Sequence, residues 1–67
     1  MSNFIDRLDQ EFAELSEKSL KLERFLYTVE WRNLSKEHQT LLEIQYQAME
    51  TYRLCLQRRI DLINKKD

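Results

Sequence analysis

Sixty-seven residues, with eleven Lys and Arg against twelve Asp and Glu, one Cys, one His and neither Gly nor Pro, allow a single thin domain. A chain of this size buries only about 60% of its unfolded surface and usually needs a disulfide, a metal or a partner subunit. The solitary Cys55 excludes an internal disulfide, and one Cys with one His cannot build a structural zinc site.

Balanced charge argues against a broad basic surface for nucleic acid. No stretch free of Asp, Glu, Lys and Arg exceeds the six residues Ile44 to Met49, so no membrane span is expected. Asp6 and Asp9 give the N-terminus no secretory character, and a cytoplasmic protein is expected. P-loops, dinucleotide fingerprints and nucleophile elbows all require glycine, which is absent. His38 has no evident Cys or Ser partner, and the carboxylates show no di-metal spacing. The expectation is a non-enzyme without cofactor or metal.

Ile5, Leu8, Phe12, Leu15, Leu22, Leu26 and Val29 recur in alternating steps of three and four, with Ser19 at the one polar place in the series. This heptad pattern predicts a first helix over about residues 3–31. Ser2 or Asn3 suits its N-cap, and Asp6 suits the positive end of the helix dipole. Asn33-Leu34-Ser35 marks a break over about 32–35. Asn tolerates the left-handed conformation that ends helices, and Ser35 can cap the next one. The second helix is predicted over about 36–64, with Lys65 and Lys66 at its negative end.

So short a connection makes the helices antiparallel neighbours, an all-α hairpin. A turn near residue 33 or 34 would set Leu15 near Tyr52, Leu22 near Gln45 and Leu8 near Arg59. The apolar arc of the second helix runs from Tyr46 past Leu42, Met49 and Leu56 to Leu41, Ala48, Cys55 and Leu62, more than half its circumference. One helix contact covers roughly a third. Phe4, Phe25 and Trp31 add surplus on the first helix. The pattern therefore predicts a homo-oligomer, a dimer or tetramer of hairpins forming a helical bundle. Cys55 is expected to be a small buried hydrophobe in it.

Gln45, Tyr52 and Arg59 stand seven residues apart within this apolar face. Gln can read a nucleobase edge, Tyr offers a stacking surface, and Arg a fork matched to phosphate. They could equally form a polar seam that sets helix register, Arg59 bonding Glu11 or Asp6 and Tyr52 bonding Ser19. Tyr46 and Arg53 border the row and are candidates to assist. The alternative for them is an Arg stem lying over apolar surface beside a half-exposed ring. Arg24, Tyr27 and Trp31 gather at the turn, where an aromatic plug closing the bundle competes with base stacking.

The run Phe4-Ile5-Asp6-Arg7-Leu8 with Glu11, Leu15, Lys18, Leu22, Leu34-Ser35 and Leu41-Leu42 leads into Gln45, Met49, Tyr52, Leu56 and Arg59. Together they resemble a family of very small phage proteins named after a crAss-like phage member. The likeness covers nearly the whole chain, and Gln-x3-Met-x2-Tyr-x3-Leu-x2-Arg is its most distinctive part. It implies a phage accessory protein of the host bacterial cytoplasm. Several tiny helical phage proteins act as sponges for nucleotide second messengers of Thoeris and CBASS immunity. By that analogy Gln45, Tyr52 and Arg59, with Tyr46 and Arg53, would line ligand pockets between subunits. Tyr52 through Arg58 also resembles the second helix of Rop-type RNA-binding hairpins. The first helix, with five basic and seven acidic residues through Arg32, makes a poor surface for phosphates. The readings in contention are a nucleotide sponge, an adaptor that binds a host protein, and a Rop-like RNA binder.

Overall fold

A computed structural model describes residues 3–65. Helix α1 spans Phe4–Phe25, a short α2 spans Val29–Arg32, and α3 spans Lys36–Asn64. No strand occurs among the described residues. Helices α1 and α3 lie antiparallel, and the molecule is a rod of 50 × 24 × 15 Å. Among the described residues no helix is long and apolar enough to cross a membrane.

The caps explain where the helices start. Asn3 caps α1, its side-chain oxygen accepting from the Asp6 N–H at 2.9 Å. Ser35 caps α3 in the same way through the His38 N–H at 3.1 Å. Ser2 and Lys66, the other expected contributors to the helix ends, lie outside the described residues.

The heptad series runs on to Val29, but α1 stops at Phe25. Thr28 is the reason. Its hydroxyl donates to the Phe25 carbonyl at 2.6 Å and accepts from the Trp31 N–H at 3.2 Å. A Thr side chain bonded this way competes with the helical ladder and caps the next turn instead. Leu26, Tyr27 and Thr28 tighten into i→i+3 bonds, and α2 begins afresh. Asn33 does not adopt the left-handed conformation expected of it. Its φ of −87° and ψ of −4° are right-handed, and no described residue has positive φ. Two short turns, each closed by a hydroxyl cap, replace one sharp glycine-like reversal. The Gln39 side-chain amide secures the corner by donating to the Trp31 carbonyl at 2.8 Å.

The core is narrow. Leu8, Leu15 and Leu56 are its buried aliphatic residues, with Phe12, Met49 and Ile60 packed against them. Ser19, the polar step in the heptad, is 2% exposed and faces α3. The register differs from the expected one: Ser19 meets Glu50, where a turn centred near residue 33 would have set Ala48 opposite. The face of α3 turned to α1 is therefore the one carrying Leu42, Met49, Leu56 and Ile60. These are the larger aliphatics, and the choice keeps Gln45 and Arg59 out of a dry contact where unpartnered polar groups are costly. Cys55, expected to be buried, is exposed on the flank left over.

Candidate functional site

The five candidate residues divide between two sides of α3. Tyr46 and Arg53 lie one α-helical heptad apart on the edge that meets α1. Ser16, Ser19, Leu20 and Glu23 of α1 complete a groove of about 280 Å³ with Tyr46, Glu50 and Arg53. Within it the polar groups are already engaged with each other. Arg53 grips Glu50 with both arms of its guanidinium, Nε to Oε2 at 3.1 Å and Nη2 to Oε1 at 2.9 Å. The Ser19 hydroxyl donates to the same carboxylate. The Tyr46 hydroxyl donates to Glu23 at 3.2 Å.

These bonds set the ionisation of the groove. The Arg53 fork, and after it the Ser19 hydroxyl, holds the Glu50 carboxyl below its ordinary value. Glu50 in turn raises Arg53. Packing against α1 raises the Tyr46 phenol, and the hydrogen bond to Glu23 and the nearby carboxylates push the same way. With two carboxylates against one guanidinium, the groove has no spare positive charge to offer a phosphate. It does have a spare hydroxyl: Ser16 Oγ is buried without a hydrogen-bond partner.

Gln45, Tyr52 and Arg59 stand on the opposite flank, all exposed. Ser19 facing Glu50 sets the register two residues from the one that would pair them with Leu22, Leu15 and Leu8. None of the three donates or accepts a side-chain hydrogen bond among the described residues, and the ion pairs found there are Lys21–Glu17 and Arg53–Glu50. Arg59 instead lies over the Phe4 ring, 5.7 Å from its centroid, a cation–π contact that leaves the guanidinium edge unpaired. The intramolecular polar seam, with Arg59 on Glu11 or Asp6 and Tyr52 on Ser19, is thus not formed: Glu50 takes Ser19. Leu41, Ile44 and Leu62 flank the row at 58%, 59% and 71% exposure. Of the turn aromatics, Tyr27 is 83% exposed in the single chain while Trp31 is half-buried.

Sequence reasoning missed Glu50 and Ser16 as groove residues. Glu50 could have been found from its spacing of three to Arg53, a pairing that helices favour. Ser19 was visible as the break in the heptad, and only its partner was misassigned.

The chain matches the family model of Sequestin over residues 2–62 and belongs to that family. No curated protein and no solved structure matches it. The match lends nothing to the crAss-like-phage or Rop-type likeness. It does agree with the coarser reading, a small protein that sequesters a partner molecule.

Proposed function

We propose that the chain is a non-enzymatic phage sponge that captures a nucleotide immune signal, of ADP-ribose or cyclic-nucleotide type, in pockets closed by a second copy of itself in the bacterial cytoplasm. The observation that carries this reading is the row Gln45, Tyr52 and Arg59, exposed in the middle of an apolar strip on α3 and without side-chain hydrogen bonds among the described residues. A guanidinium with no carboxylate partner among the described residues is open to phosphate, a half-exposed phenol ring to a base, and an amide equally unpaired there to a base edge. Covering the surrounding Leu41, Ile44 and Leu62 would exclude water from all three and strengthen each contact. Capture requires affinity alone, which suits a glycine-free helical chain.

Tyr46 and Arg53 take second rank. Arg53 would have to leave Glu50 before it could hold a phosphate, and that exchange lowers its net contribution.

Thermal melting with ADP-ribose, cyclic ADP-ribose isomers and cyclic dinucleotides tests the reading. A ligand at a hundredfold excess over its Kd stabilises by about 2.7 kcal/mol, an upward shift of roughly 10 °C or more for a chain this short. Arg59→Ala is expected to remove that shift while the oligomer persists. The same exposed apolar strip also suits an adaptor. No shift with any nucleotide, together with retention of one host protein, would move the conclusion there. Salt-sensitive retention of stem-loop RNA would favour the Rop-like reading, which the acidic balance of the first thirty-two residues opposes.

A further inference from the structure

The molecule exposes 5583 Å². A compact monomer of 8.3 kDa would expose about 4600 Å². The excess, about 1000 Å², is slightly more than the roughly 800 Å² that each partner buries in a standard protein interface. Part of the exposed apolar surface forms one line along α3. Leu41, Ile44, Ala48, Tyr52, Cys55 and Leu62 lie on the flank turned away from α1, and all are exposed.

This line is self-complementary when reversed. Around a point beside Tyr52, Leu41 mirrors Leu62, and Ala48 mirrors Cys55. Large residues oppose large ones at the ends, and small oppose small near the middle, where two helices can approach closely. The same operation sets Arg59 level with the partner's Ile44, one residue and about 1.5 Å along the axis from Gln45. The reversed order is also the one that charge permits. Arg59 is the charged member of the row, and a parallel pairing would set it directly against the partner's Arg59. Antiparallel pairing separates the two by about 22 Å along the helix.

We infer that α3 pairs with the partner's α3 antiparallel, about a twofold axis beside Tyr52. The occupant of the apolar strip is a second copy of this chain. An isologous contact of this kind needs the same patch on both subunits, which the mirrored sequence supplies. Each end of the contact then places Gln45 of one chain beside the partner's Arg59, with the two Tyr52 rings between the ends. This builds on the sponge reading by making each pocket composite, its amide from one subunit and its guanidinium from the other. Glu37, at the start of α3, comes close to the partner's Lys65, and the two helix dipoles oppose each other favourably.

Ala48→Cys in the chain that keeps Cys55 tests the register. Under mild oxidation at micromolar concentration, most of this variant is expected to become a disulfide dimer linked 48 to 55, identified by peptide mass spectrometry. The unmodified chain should stay uncrosslinked. Its two Cys55 residues would be about 10 Å apart along the axis, beyond the roughly 4.4–6.8 Å between Cα atoms that disulfides span. A 55-to-55 disulfide in the unmodified chain would show parallel pairing and overturn the inference. So would failure of Ala48→Cys to crosslink, or sedimentation of the unmodified chain as a folded monomer. The two proposals fail separately: a 48-to-55 crosslink without any nucleotide shift keeps the interface and removes the sponge. A nucleotide shift without the crosslink does the reverse.

Discussion

The link from Ser19 to Glu50 explains how a polar residue holds a core position, and it makes a quantitative prediction. Ser19 is 2% exposed, so its hydroxyl has essentially no water to turn to if Glu50 is removed. Glu50→Ala should therefore cost about 1–3 kcal/mol for the stranded hydroxyl. Releasing Arg53 adds little, because a half-exposed ion pair at i,i+3 contributes about 0.3–0.5 kcal/mol. Ser19→Ala should cost less, about 1 kcal/mol, since Glu50 keeps Arg53 and some water while a methyl group suits the apolar seam. In the double variant no hydroxyl is stranded. Its cost should fall below the sum of the two single costs by about 1–2 kcal/mol. Urea unfolding followed by far-UV circular dichroism measures all four proteins, at one subunit concentration so that any self-association contributes equally. Additivity within about 0.5 kcal/mol would refute the reasoning, because independent sites behave that way.

The pH dependence arises from the same carboxylate. Glu50 is depressed below its ordinary 4.5, so its contribution is fully present above that value and is lost as pH falls through the lower folded-state value. Glu50→Gln should accordingly be less stable than the unmodified chain near neutrality, with the gap closing in acid below about pH 4.5; a gap that widens in acid would contradict the assignment. Leu56, fully buried among Leu8, Leu15, Phe12, Met49 and Ile60, is the most consequential aliphatic side chain. Leu56→Ala should cost about 2–5 kcal/mol and lower the melting midpoint by roughly 10 °C or more. A drop under about 4 °C would place the core elsewhere.

Much of the fold was legible because helix punctuation is local. Asn3 and Ser35 cap where their side chains can reach an N–H three residues on, and the absence of glycine and proline leaves the intervening runs uninterrupted. Thr28 shows the limit of that reading. A Thr inside an apolar-periodic run looks like an ordinary helical position until its hydroxyl bonds both Phe25 and Trp31, and that choice depends on how the corner packs on Gln39. The candidate site was legible by residue type and not by placement. Tyr46 and Arg53 do share a groove, but Arg53 is held by Glu50. Gln45, Tyr52 and Arg59 lie on the exposed flank of α3 outside the core contact, with Arg59 reaching back only to Phe4 at the start of α1.

That misplacement has a physical source in α3 itself. Its apolar residues fit two heptad frames, one through Leu42, Met49, Leu56 and Ile60, the other through Leu41, Ala48, Cys55 and Leu62. Periodicity alone cannot say which frame meets α1. The apolar residues of α1 gather on one side, whereas those of α3 spread around the helix. A helix apolar on one side needs one cover; a helix apolar on two needs two. The frame of larger side chains receives α1, since burial per residue is greatest there. The frame interrupted by Ala48 and Cys55 has less area per residue but admits a closer approach, which suits contact between identical helices. In the inferred assembly the α3 helices therefore form the inner layer and the α1 helices the outer one. The polar row then lies at the one boundary where Gln45, Tyr52 and Arg59 can be screened from water without being buried inside a single chain.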